Sequence, residues 1–97
     1  GITAGKVAEK LAIIGQKRQV ICITHLPQIA AMADSHYLIQ KSVQNQTTVS
    51  TIRRLSEEES IQELSRMLGG VEITETVKES AREMRALAKS KKSGFEK

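Results

Sequence analysis

Cysteine, proline and aromatic side chains are nearly missing from this chain, and each scarcity excludes something. Cys22 is the single cysteine, so no intrachain disulfide can brace the fold, and a reducing, cytoplasmic setting is the simplest expectation. Aromatics make up 2% of residues, so any core is built from Ile, Leu, Val, Ala and Met. No apolar run approaches the roughly 20 residues of a membrane span, and the first residues do not read as a secretory signal. Pro27 is the sole proline and punctuates the chain at one point. No partner of membrane type is therefore expected.

What is present is one domain's worth of sequence, 97 residues with a net charge of +4. The charge is uneven. Lys89, Lys91, Lys92 and Lys97 crowd the tail, while Glu57, Glu58 and Glu59 form an acidic knot mid-chain. A basic tail can touch phosphate backbones, but it is more commonly a solvated terminus.

The most informative stretch is ICITHLPQIAAMAD, Ile21 to Asp34. Val20-Ile21-Cys22-Ile23 is short, β-branched and uncharged, the signature of a strand buried on both faces of a parallel sheet. Pro27 suits the first turn of a helix, where its missing N–H would have no partner. Strand, polar elbow, helix is the junction at which α/β proteins bind ligands, and His25 lies on it.

The rest reads as α/β. A helix is expected from about Thr3 to Lys17, with Val7, Leu11 and Ile14 on its buried face, then the strand Gln19–Thr24 and a short helix Leu26–Ala33. SHYLIQKSV and TTVSTIRRL form a hairpin joined at Gln44-Asn45-Gln46, with Tyr37, Ile39 and Val43 on one face and one wet side. Ser56 and Glu59 make a capping box for a third helix, whose stripe is Ile61, Leu64 and Leu68 and whose stop is Gly69-Gly70. The last helix runs from Thr74 or Thr76 toward Lys89, with the stripe Val77, Ala81, Met84 and Ala88. Residues 1–90 are expected to form one lobe and 91–97 a basic, disordered tail. One strand reads as sheet-centre, yet no second strand of that kind exists to flank it. Its bare edge should recruit another chain, so a dimer or strand-exchanged oligomer is expected.

CITHLPQIAAMADSHYLIQK, followed by ELSRMLGG and EITE, closely resembles the C-terminal end of the bacterial RecN family of DNA-repair ATPases. The resemblance implies an ABC-type, SMC-like ATPase head, of which this chain would be a partial lobe cut just after Walker B. It implies that His25 is the switch histidine that reads the γ-phosphate of ATP. It places a D-loop remnant in GITAGKVA, at Ile2, Thr3 and Ala4, and leaves Gln28 as a residue that holds the elbow or meets nucleotide. It implies ATP and magnesium as cofactors of the full-length protein, with none bound by this segment. The implied partners are the N-terminal half of the same head, a second head and DNA, in the bacterial cytoplasm at the nucleoid.

Several elements of such a head are not in this sequence. GQKRQ does not make a G-x-x-x-x-G-K-S/T phosphate loop, and neither a signature motif nor an acidic Walker B strand end occurs. Alone, the segment is expected to be inactive. Competing chemistry is weak. Cys22 and His25 are spaced C-x-x-H, but positions i and i+3 of a strand point to opposite faces, so no metal site is expected. A histidine at the elbow could also simply cap the following helix. Cys22 is expected to be a small buried apolar residue. Arg53 and Arg54 should pair with the acidic turn rather than reach DNA. The runner-up function is a small basic DNA-binding module that uses the 35–55 hairpin and the lysine tail.

Overall fold

A computed structural model describes residues 2–70 and 72–95. Helix α1 spans Ile2–Gly15, and α2 spans Pro27–Ala31 with Pro27 in its first turn. Strands β1 (Tyr37–Gln44) and β2 (Thr47–Arg54) pair antiparallel, and helices α3 (Glu57–Gly69) and α4 (Glu75–Phe95) follow. The molecule is thus mixed helix plus a two-stranded hairpin.

Each stop and start has a local cause. Ser56 accepts the Glu59 backbone N–H through its side chain (3.2 Å), while Glu59 accepts the Ser56 N–H (3.0 Å), closing the capping box. Such a cap contributes about 1 kcal/mol. At the other end Gly70 takes φ +69°, which a residue with a Cβ adopts only under strain. Gly69 is needed for space, since a Cβ there would lie 3.1 Å from Val77 Cγ1. The Thr74 hydroxyl accepts the Val77 N–H at 3.2 Å and opens α4.

The core is small-residue helix packing. Ala30, Ala31, Leu64, Ala81 and Ala88 are its buried members, with Met32, Ile61, Met67 and Met84 packed around them. Alanines on α2 and α4 let the helices approach closely, and Leu64 fills the space between them. The α3 stripe is rotated from the expected one. Ser60 and Ser65 are buried beside Leu64, whereas Leu68 is 38% exposed. Both serines tolerate burial because each is bonded, Ser65 Oγ donating to the Ile61 carbonyl at 2.7 Å.

Three larger expectations need correction, besides the face of α1, where Val7 and Ile14 are exposed and Ala8 is the buried residue. Gln19–Thr24 is not a strand. It runs as irregular chain, with Ile21 and Ile23 each 84% exposed. A strand exists only when a neighbour supplies hydrogen bonds, and among the described residues none does. For the same reason Cys22 is exposed rather than buried.

The hairpin is the second correction. Its turn is two residues, Asn45 (φ 51°) and Gln46 (φ 64°), a type I′ geometry, so Gln44 belongs to β1. The face carrying Tyr37, Ile39, Val43 and Ile52 looks into solvent. Only the hairpin root is held, where Leu55 is buried and donates its N–H to the His36 carbonyl at 2.8 Å. Third, α4 continues through residues 91–95, which the charge pattern assigned to a disordered tail. Ion pairs explain the extension. Lys91 reaches Glu9 of α1 at 2.7 Å, and Lys92 reaches Asp34 beyond α2 at 2.8 Å.

Candidate functional site

The elbow between the exposed run and α2 is built by its own backbone. The Thr24 hydroxyl accepts the Leu26 N–H at 3.0 Å, a side-chain turn two residues long. Leu26 is extended (φ −98°, ψ 121°), and its carbonyl accepts from Ile29 and Ala30 at 3.2 and 3.1 Å to start the helix. His25 sits at the bend between these two residues, exposed, with no hydrogen bond to another described residue. It does not cap α2. Thr24 was not singled out from sequence as the residue that shapes this bend, although a hydroxyl two residues before the N-cap Leu26 is the signal.

Gln28 lies on the first turn of α2, partly covered, and its Oε1 is buried without a partner among the described residues. Thr3 lies elsewhere. It lines a shallow groove of α1 with Lys6, Val7, Lys10 and Leu11, which neither His25 nor Gln28 lines. Ile2 and Ala4 share that helix start, and the side chain of Ile2 falls outside the described residues. Among the described residues no group of three or more His, Cys, Asp or Glu side chains could hold a metal ion.

A cleft of about 440 Å³ lies at the hairpin root, lined by His36, Arg54, Glu57, Ser60 and Arg85 among others. Arg85 is its centre and is 6% exposed. One guanidinium nitrogen donates to the carbonyls of Ala31 (2.5 Å) and Ala33 (2.6 Å), capping the end of α2. Its Nε donates to Glu57 at 3.1 Å, and Lys89 meets the same carboxylate at 3.1 Å. These bonds, Arg85 foremost, hold the Glu57 carboxyl below its ordinary range. Arg85 thereby ties the end of α2 to α3 and α4. Like Thr24, it is a residue the sequence reading missed, although it breaks the apolar stripe at the position between Ala81 and Ala88.

The expected local pairing of the hairpin arginines is present for Arg53, which binds Glu59 at 2.5 Å, while Arg54 donates to the Ser35 hydroxyl at 3.3 Å. The Ser56 backbone N–H and Arg53 together push the Glu59 carboxyl down to about 2. Its contribution to stability is full above 4.5 and is lost as pH falls toward 2.

His36 behaves differently. Its Nδ1 is 2.8 Å from the Ser60 hydroxyl, and burial lowers its pKa below the ordinary 6.5, with Arg85 adding to the shift and Glu63 opposing it. Protonation therefore favours the unfolded chain. Stability is full above 6.5 and falls as pH drops from 6.5 through the lowered value. The urea midpoint should fall between pH 7.5 and pH 5.5, before the glutamates titrate, and His36→Gln should flatten that slope. An unchanged slope in the variant would show that another group carries it.

No protein-family model matches the chain. Among curated proteins it matches the DNA repair protein RecN of Halalkalibacterium halodurans, 46% identical over 90 residues. That alignment covers 93% of this chain and 16% of the relative. RecN of Bacillus subtilis is 43% identical over 84 residues, covering 87% of this chain and 15% of the relative. RecN of Deinococcus radiodurans is 44% identical over 86 residues, covering 89% and 15%. The chain belongs to the RecN family. It corresponds to a C-terminal segment of RecN and spans about one-sixth of the length of the RecN proteins it matches. The alignments cover most of this chain, so the helices, hairpin and elbow described above belong to the RecN-like segment as a whole.

Proposed function

We propose that this chain is the C-terminal lobe of an ABC-type, SMC-like ATPase head that serves DNA double-strand-break repair and recombination. His25 is its switch histidine. The observation that carries the reading is the elbow itself: within a sequence 46% identical to a RecN protein, His25 stands exposed, bonded to no other described residue, on a bend that Thr24 and Pro27 set. A ring N–H on such a bend is free to point at a transferring phosphoryl group. Phosphoryl transfer is catalysed mainly by positioned electrostatic donors, so one donor counts.

The residues of this chain do not by themselves fit ATP or magnesium. No phosphate loop occurs in the sequence, and the described residues hold no acidic cluster for a cation. The remainder of the head supplies those parts, and a second head and DNA complete the assembly, in the bacterial cytoplasm. Within this chain Arg85 positions α2, α2 positions the elbow, and Gln28 is a subsidiary nucleotide-side residue beside it, while Thr3, in the separate α1 groove, belongs to the D-loop remnant. The bare apolar run at 20–23 supports the same reading, because a strand sequence buried on both faces needs neighbours that these residues lack.

The runner-up DNA-binding module draws less support. Lys89, Lys91 and Lys92 are spent on Glu57, Glu9 and Asp34, and Arg53 on Glu59. Co-expression with the remainder of the Bacillus subtilis RecN head tests the reading. The two pieces should copurify, and Ile21→Lys with Ile23→Lys should abolish the association by placing two charges in a sheet. Failure to copurify, or copurification indifferent to those lysines, would contradict it.

A further inference from the structure

We propose that Thr24 is a positioning residue for phosphoryl transfer, its hydroxyl aiming the His25 imidazole by closing a hydrogen-bonded ring around the His25 backbone. The inference rests on the reading of His25 as the switch histidine and adds a second residue to that step.

His25 is exposed and makes no hydrogen bond to another described residue, so no side-chain partner among them orients its ring. The direction of the imidazole is therefore inherited from its own backbone. That backbone is restrained from two sides. On the C-terminal side, Pro27 confines the residue before it to extended conformations, and Leu26 has φ −98° and ψ 121°. The Leu26 carbonyl is held by the N–H groups of Ile29 and Ala30, which seats this residue on the helix start.

The second restraint is Thr24. Leu26 is the N-cap residue, and its N–H lies ahead of the first helical turn, where no helix carbonyl can serve it. The partly buried Thr24 hydroxyl accepts that N–H at 3.0 Å. The ring so closed runs through every backbone atom of His25. Without it, the peptide unit between His25 and Leu26 loses its tether, and the imidazole can swing while the fold around it stays in place. A threonine suits the task because its β-branched side chain has few χ1 states to lose. Valine has the same shape and no acceptor; serine keeps the acceptor with a freer χ1.

The test uses a head reconstituted from this chain and the remainder of a RecN head, followed by single-turnover phosphate release so that slow rates stay readable. A donor misplaced by roughly 1 Å can cost on the order of 10²-fold, and a single side-chain turn is a softer restraint, so Thr24→Val should slow turnover about tenfold. The Kd for ATP should stay within about twofold, because the phosphate cradle is not built from this chain. Thr24→Ser should return the rate to within about threefold of the parent. In a His25→Ala background Thr24→Val should have no further effect, since nothing is left to aim. Copurification checks that each variant head assembles; if Thr24→Val does not, Thr24→Ala against Thr24→Ser makes the same comparison. A rate for Thr24→Val within about twofold of the parent would overturn the proposal. So would a serine variant that restores nothing, or an equal loss in the His25→Ala background. Each of these leaves the reading of His25 standing. That reading fails, and the role of Thr24 with it, if His25→Ala alone leaves turnover unchanged.

Discussion

Replacing His25 with alanine in a reconstituted head should lower kcat by about 10²–10³-fold while the Kd for ATP stays within about twofold. The magnitude is that of removing one preorganised donor from a transition state whose charge is spread over the phosphoryl oxygens. Binding is spared because the phosphate cradle is not built from this chain. Folding is spared as well, since His25 is exposed and bonds to no other described residue. Thermal unfolding of the variant should therefore overlay the parent, which separates a lost donor from a lost fold. His25→Gln, which keeps an N–H donor near the same place, should recover part of the rate. A kcat within about twofold of the parent would remove His25 from the chemistry altogether.

Arg85→Met should destabilise the chain by about 3 kcal/mol in urea unfolding. Breaking a fully buried ion pair by deleting one partner costs roughly 3–5 kcal/mol. Here Glu57 is about half exposed and keeps Lys89, which pulls the figure toward the low end. Two backbone carbonyls, Ala31 and Ala33, also lose their donor at the end of α2. Methionine preserves most of the buried stem, so the loss reports the guanidinium rather than a cavity. Arg85→Lys should rescue little, because a single ammonium cannot serve two carbonyls and a carboxylate from one fork. A core rich in alanine leaves a modest reserve, so the loss is a large share of the total. A change below about 1 kcal/mol would mean that α2 and the elbow are fixed by packing alone.

Much of this fold is dictated by local chemistry that the sequence displays. The capping box at Ser56 and Glu59, Pro27 at a helix start, the strands around Asn45-Gln46 and the Ala81–Ala88 stripe are each dictated by residues within a few positions of one another. Long-range terms were not legible. Whether Val20–Ile23 becomes a strand depends on a neighbour, and its own β-branched side chains cannot supply one. The helix beyond Ser90 depends on Glu9 and Asp34, 82 and 58 positions away from their lysines. Arg85 looks like an ordinary charge on a helix until Ala31, Ala33 and Glu57 are brought around it. At the site, the position of His25 on a bend was readable from the Thr-His-Leu-Pro step. The bend's maker, Thr24, leaves only one local sign, a hydroxyl two residues before the N-cap, and no periodic trace.

ATP turnover measured on the purified chain, and then on the chain combined with the remainder of a RecN head, tests the central claim most directly. Phosphate release should be absent from the chain alone, should appear on combination, and should vanish again when the combined head carries His25→Ala. Turnover by the chain alone, or turnover by the combined head that is indifferent to His25, would contradict the account.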